Sequence, residues 1–401
     1  MAHPGLVLFD DLQAQRWAPF ALTRPTGELL FGAEKLAERA GRVLGLEVAG
    51  YLTSEHLLEF GEAGAPGVVR LDELPSDGLL FWCSRAVPES SPETESEKGP
   101  AVYLIDERPV GLYLPAGQWP DPEFLGELRL GPEPETRITV QGRLLEWPWH
   151  LLADCPEQLA RDLAEAEPAT EVPDGVYHEG KHAVILAADV HVEPGVLFDT
   201  REGPIRLGDG VEVRTGTRLA GPTAIGARSR LLGGSFERVV AGPFSHLQGE
   251  IADCVILGYT NKAHQGYLGH SYVGKWVNLG ALTTNSDLKN NYRPVRVWTP
   301  AGVLDSGSLK IGCFLGDHVK TGIGLLLGTG TVVGAGSNLY GTAMPPRYVE
   351  PFSWGEGADL GEYRLAEFLD TAERSMARRG VELGERGRRY LESCWRKGRG
   401  G

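Results

Sequence analysis

The chain has 401 residues, with 39 Lys and Arg against 54 Asp and Glu, a formal net charge of −15. That length allows two or three domains with a sizeable core, and the acidic balance argues against nucleic acid or an anionic membrane surface as a general partner. Five scattered cysteines without C-x-x-C spacing give no disulfide or zinc framework; with neither a secretory signal pattern nor a run of about 18 apolar residues, a cytoplasmic protein is expected.

Residues 1–168 read as an α/β domain. Apolar strand patterns stand at 6–9, 47–53, 79–83 and 102–105, a helical pattern at 29–43, and a closing helix at 156–166. Residues 88–98 are acidic and Ser-rich with almost no apolar side chain, and read as a mobile loop. A polar, Pro-containing link over 167–180 follows.

A repeat then begins. Leu186, Val192 and Phe198 are six apart; Leu207, Val213, Leu219, Ile225 and Leu231 keep the step, and Leu315, Thr321, Leu327, Val333 and Leu339 resume it. Glycine often follows directly, as in Leu207-Gly208, Ile225-Gly226 and Val333-Gly334. A six-residue period of inward aliphatics with small residues at the corners marks a hexapeptide β-helix, expected over 180–343. The strict period breaks over 245–310, and insertions in repeat arrays map to loops on one face. Residues 344–401 form an extension in which 360–397 reads as helix, with Leu365, Phe368, Leu369 and Ala372 at helical spacing, suited to cover the open coil end.

The broken stretch carries the polar residues a stacked coil does not need: Lys262, His264, Tyr267, Asn278, Asn285 and Lys289. Acyl transfer from a thioester requires a base, an oxyanion donor and a held amine. An imidazole, with a general pKa of about 6.5, suits the base, and His264 is the candidate. Asn278 has the groups to contact sugar hydroxyls, though an Asn on a solenoid turn is as often structural. Tyr267 either packs as a coil residue or reaches a sugar phosphate. Backbone N–H groups at Gly280 and Ala281 are candidates to polarise the thioester carbonyl. His246 and His270 read as surface or packing residues, with no metal-ligand spacing.

The repeat together with NKAHQGYLGHSYVGKWVNLGA resembles the acetyltransferase half of bifunctional N-acetylglucosamine-1-phosphate uridyltransferase/glucosamine-1-phosphate acetyltransferases. The resemblance implies a left-handed parallel β-helix, acetyl-CoA as co-substrate, an amino-sugar phosphate as acceptor and a homotrimer. It puts the base on His264, sugar contacts on Tyr267 and Asn278, and the acetyl-CoA carbonyl near Ala281. Two cations that serve the sugar phosphate in that family are replaced by Gln248 and Asp253, leaving Lys262, Lys289 and Arg293 as substitutes.

Near the start, Arg16-Trp-Ala-Pro19-Phe-Ala-Leu-Thr23-Arg24-Pro25 resembles a segment of sugar-1-phosphate nucleotidyltransferases, so residues 1–168 are expected to be nucleotidyltransferase-like, with UTP or dTTP as ligand. That family has a Gly-rich loop just before the arginine; here the place reads Phe9-Asp10-Asp11-Leu12-Gln13-Ala14-Gln15, without glycine. Arg16 and Arg24 are candidate nucleotide contacts. Asp10 and Asp11 either hold Mg²⁺ that bridges to phosphate, or the nucleotide chemistry has been lost. Three functions stay open at this stage: an acetyltransferase, a nucleotidyltransferase with a solenoid platform, and a non-catalytic scaffold.

Overall fold

The computed structural model describes residues 5–74, 78–91, 99–131, 134–164 and 172–400. The front region is built on a 6-stranded sheet in the order Val48–Leu52, Gly5–Phe9, Leu79–Cys83, Arg108–Leu114, Ala101–Ile105 and Thr136–Thr139. Gly5–Phe9 runs parallel to both neighbours, which explains its unbroken apolar sequence: a strand covered on both faces has no solvent side to mark with polar residues.

Three expectations for this region change. The helical pattern over 29–43 begins as a hairpin, Leu30–Phe31 against Glu34–Lys35, and only Leu36–Leu44 is helix. Gly32, at φ 67°, makes the turn that separates them. The closing helix is Cys155–Asp162. Of the stretch expected as a mobile loop, Ala86–Pro88 is a strand paired with Gly142–Leu144, and the Ser91 hydroxyl donates to the Val43 carbonyl at 2.6 Å; residues 92–98 lie outside the described residues.

From Tyr177 the chain winds as a parallel β-solenoid. Tyr177–Gly180, expected as linker, already pairs with Leu197–Thr200. The six-residue phase is the inward one: Val192, Phe198, Leu207, Val213, Leu219, Ile225, Leu231, Leu315, Leu327, Val333 and Leu339 share one buried core. Thr321 is buried at the same phase, and Leu186, in the first coil, is half-buried.

Residues 246–285 do not leave the coil. Arg230, His246, Asn261, Asn278 and Lys320 follow one another in ladder register. The irregular spacing in sequence reflects turns of changed length at the corners, not a broken stack. The insertion that leaves the coil is 286–312, which folds as the hairpin Arg296–Thr299/Gly302–Asp305 and stacks Trp298 on Tyr348 with ring centroids 3.4 Å apart.

The three solenoid faces have different fates. One, the docked face, carries apolar residues outward as well as inward. Ala224, Val240, Val255, Tyr272, Phe314 and Val332 stand in register and bury against Trp17, Phe20 and Leu29 of the front region. The Phe20 and Tyr272 rings lie 4.7 Å apart. A second, the tail face, is overlaid by the C-terminal extension. The third, the open face, runs through Tyr267–Gly269 and Thr284–Asn285 to Leu326–Leu327.

The extension is two helices, Leu365–Ala377 and Gly384–Gly398, not the single helix expected; Gly380 and Gly384 turn the chain with φ of 70° and 61°. The coil end is covered by the hairpin Ser353–Glu356/Asp359–Glu362, with Leu360 against the coil core. The helices instead bridge back to the front region, where Phe368, Leu383 and Leu391 join Leu57 and Phe60 in one apolar cluster. Among the described residues no helix is long and apolar enough to cross a membrane.

An ion network crosses the docked interface. Arg24 is buried and reaches Asp317 at 2.7 Å and Glu62 at 3.0 Å. Thr23 donates to Asp317 at 2.8 Å, and Lys275 pairs with Glu62. Burial pushes the Glu62 carboxyl up, but Arg24 and Lys275 outweigh it and hold its pKa at about 2. Burying four apolar side chains such as Val240, Val255, Phe314 and Val332 is worth roughly 6–12 kcal/mol, whereas a buried ion pair is near neutral overall and costly only when broken. Apolar burial therefore drives the docking, and the ions fix its register. Because Glu62 is depressed in the fold, its stabilising contribution is present above its ordinary pKa and is lost as pH falls toward 2. Glu62→Gln should lower unfolding free energy at pH 7 by about 3 kcal/mol, with the gap from wild type closing between pH 4.5 and pH 2; denaturant titrations across that range would read it, and a pH-independent gap would refute it.

Candidate active site

The H-x-x-Y-L-G stretch wraps the corner between the tail face and the open face. Asn261–Lys262 ends one face and Tyr267–Gly269 begins the next, with His264 exposed on the loop between them. Two contacts hold this loop. The Leu282 N–H of the next coil donates to the Gln265 carbonyl at 2.8 Å. From beneath, Lys262 donates to the carbonyls of Gln248 at 2.8 Å and His264 at 2.9 Å.

Lys262 was expected to meet a substrate phosphate, but it is buried in the coil, in register with Leu247. Burial pushes its pKa down to about 8. Gly249, at φ 99°, leaves the room it needs, since a Cβ there would stand 3.1 Å from the ammonium. A lysine at an inward position can reach only backbone carbonyls, so here it braces the loop that carries His264.

Asn285 is also inward. Its amide oxygen accepts from the Gly269 N–H at 2.8 Å and its amide nitrogen donates to the Gly269 carbonyl at 2.9 Å, standing in for a ladder partner. Lys289 donates to the Pro294 carbonyl at 2.9 Å within the insertion. Tyr267 donates to Asp287 at 2.7 Å, and His270 Nδ1 lies 2.7 Å from the same oxygen. Burial raises the Asp287 carboxyl, but the His270 and Tyr267 hydrogen bonds outweigh it and hold it at about 2. Asp287 was not anticipated; its mark in the sequence is a carboxylate two residues after an inward polar position.

At the following corner, the Gly280 N–H donates to the backbone and the hydroxyl of Thr321, each at 3.1 Å, which leaves that donor engaged. The Ala281 carbonyl accepts from Gly324 at 2.7 Å.

Asn278 lies outward on the tail face, where its oxygen accepts from Asn261 at 3.0 Å. It lines a cleft of about 390 Å³ beneath the Leu365–Ala377 helix, with Lys320, Arg374, Arg378 and Arg379 among its walls. The sequence reading missed these cations; the run of basic residues on the tail helix was their only signal.

The front candidates separate from one another. Asp11 accepts from Arg85 through both oxygens, at 2.6–3.0 Å, and from the Ala14 N–H at 2.9 Å. Asp10 accepts from Thr53 at 2.7 Å and the Thr26 N–H at 3.1 Å, and burial pushes its pKa up to about 6. A carboxylate closed by a guanidinium beside one biased toward its neutral form does not fit a divalent cation, and no cluster of metal-ligating side chains occurs among the described residues. Arg24 is the interface ion described above, and Arg16 is exposed.

Comparison with known proteins follows the two halves of this architecture. Residues 6–168 match the family described as sugar nucleotidyl transferase. The bifunctional sugar-1-phosphate nucleotidylyltransferase/acetyltransferase of Sulfurisphaera tokodaii is 33% identical over 100 residues, 25% of this chain and 25% of that protein. The bifunctional protein GlmU of Bordetella parapertussis is 26% identical over 254 residues, 58% of this chain and 48% of that protein. An uncharacterized acetyltransferase of Escherichia coli, YaiX, is 25% identical over 175 residues, 42% of this chain and 76% of that protein. The chain thus spans between a quarter and a half of the bifunctional relatives it matches. Residues 6–168 are thus similar to sugar nucleotidyl transferases, and over 254 residues the chain is similar, at low identity, to GlmU proteins.

Proposed function

We propose that this chain is a CoA-dependent N-acetyltransferase acting on an amino-sugar phosphate, and that its front region no longer performs nucleotidyl transfer. The observation that carries the first part is His264: an exposed imidazole on a loop held by Lys262 from below and by Leu282 from the next coil. A base held at the rim of a rigid coil meets the geometric demand of general-base catalysis.

In the reaction, the acceptor amine attacks the thioester carbonyl, a C–N bond forms and the C–S bond breaks. His264 takes the proton lost by the amine and returns it to the departing thiolate, so that CoA leaves as the thiol. Asn278, one coil on, offers its amide to acceptor hydroxyls. Tyr267, whose O–H donates to Asp287, still has a lone pair to accept from a sugar hydroxyl. The backbone N–H of Ala281 is the remaining candidate at that corner for the carbonyl oxygen, since that of Gly280 is engaged.

Leu282 and Ile323 are exposed at the same corner of successive coils. Apolar side chains stacked beside the catalytic loop support a second copy of this chain closing the site, in a homotrimer. Light scattering at micromolar concentration should give three times the monomer mass, and a stable monomer would remove that part of the reading.

The central test is free-thiol release from acetyl-CoA with glucosamine-1-phosphate. His264→Ala should lower kcat by about 10²–10⁴ and leave the melting temperature nearly unchanged, because the side chain is exposed. Asn278→Ala should raise KM more than it lowers kcat, as expected when a ground-state contact is lost. A folded His264→Ala protein with wild-type turnover would sink the mechanism. For the front region, UTP, Mg²⁺ and N-acetylglucosamine-1-phosphate should yield no pyrophosphate; its appearance would restore the nucleotidyltransferase reading.

A further inference from the structure

The tail face presents an outward ladder of Arg230, His246, Asn261, Asn278 and Lys320 in register. The Leu365–Ala377 helix and the turn after it lie across this ladder and enclose the 390 Å³ cleft. Lys320, Arg374, Arg378 and Arg379 line it, and no carboxylate does. Arg374 has Asp370 at 3.0 Å; among the described residues neither Arg378 nor Arg379 has a carboxylate partner. In a chain of net charge −15, four basic side chains around a cleft that no carboxylate lines need an explanation.

A second observation points the same way. The Nε of Arg379 is closed off from solvent and has no hydrogen-bond partner. A guanidinium donor left unpaired in that setting is unfavourable, and turning it into the adjoining cleft toward an anion would relieve that cost. One neighbour registers the same positive field: His246 is pushed down to about 4 by burial and by Arg379 and Arg230.

We propose that this cleft is a phosphate-binding site in which the C-terminal extension supplies Arg378 and Arg379, the solenoid supplies Lys320, and Asn261 and Asn278 meet the hydroxyl-bearing part of the ligand. The ligand group is a phosphate monoester dianion, for which guanidinium forks give paired, charge-assisted hydrogen bonds. The volume suits a sugar phosphate rather than a bare ion. Assigning the phosphate to the acceptor rests on the acyl-transfer reading; the anion site itself stands on the cleft.

The test is calorimetric binding to the full-length protein, without turnover, of inorganic phosphate, glucosamine-1-phosphate, glucosamine, CoA and 3′-dephospho-CoA. Wild type should bind glucosamine-1-phosphate at least tenfold more tightly than glucosamine. Arg379→Met should weaken the phosphorylated sugar by about 10–100-fold, the scale of one charge-assisted contact, and leave glucosamine unchanged. Arg378 is exposed, so Arg378→Met, with its melting temperature as control, gives a variant whose fold is not at risk. If the variants weaken CoA but neither 3′-dephospho-CoA nor the sugar phosphate, the site holds and its phosphate is that of the co-substrate. Equal affinities for every phosphorylated ligand in folded variants and wild type would overturn the proposal. Because binding is read directly, a protein that binds phosphate here yet releases no thiol would fail the acyl-transfer reading alone.

Discussion

The structure depends on one apolar contact, the burial of the docked solenoid face beneath the front region. A parallel solenoid normally needs apolar residues only on its inner phase, because its outer surface is wet. Here six successive coils turn Ala, Val, Tyr and Phe outward in register, against Trp17, Phe20 and Leu29. The chain that follows Arg16 supplies Trp17 and Phe20 to that contact. Arg24 of the front region reaches Asp317 across the boundary, and Glu62, paired with Arg24 on its own side, is met from the solenoid by Lys275.

The docked face also divides the molecule functionally. With one face sealed by the front region and another overlaid by the tail helices, the corner between the tail face and the open face is where His264 remains exposed. That loop is rigid for reasons internal to the coil. Lys262 occupies a position that Leu247 fills one coil earlier, and replaces an aliphatic contact by two hydrogen bonds to carbonyls. Burying an ammonium is unfavourable, which is why its pKa falls to about 8; the return is a loop backbone pinned from inside. Asn285 does related work one coil on, closing both backbone groups of Gly269 where the ladder has no partner.

The tail has a larger part than end covering. A short hairpin closes the coil, and the two helices join solenoid to front region while laying Arg374, Arg378 and Arg379 over the polar ladder. Positive charge on a mobile tail would be screened and diffuse. Held against Asn278 and Lys320 by Phe368 and the apolar cluster behind it, the same charge is concentrated at one place.

The sequence by itself determined the architecture where a single period governs it. The six-residue phase identified the inward aliphatics from Val192 to Leu339 because each coil repeats one physical requirement, an apolar side chain at the axis. The strands of the front sheet were legible for a similar reason, and the H-x-x-Y-L-G stretch announced itself as polar chemistry that stacking does not require. Tertiary structure alone decided what those polar residues touch. Lys262 and Asn285 read as surface ligands in a list of residues, yet the coil turns them inward, because changed corner lengths hid the continuing register between 246 and 285. Asp10, Asp11 and Arg24 read as a nucleotide site, yet the partners that claim Asp11 and Arg24, Arg85 and Asp317, lie 74 and 293 residues away. The basic cleft joins Asn278 to a helix about a hundred residues further on. Periodicity is a local property and survives in sequence; which charge meets which is a matter of distance in space, and the chain sets that only when its faces dock.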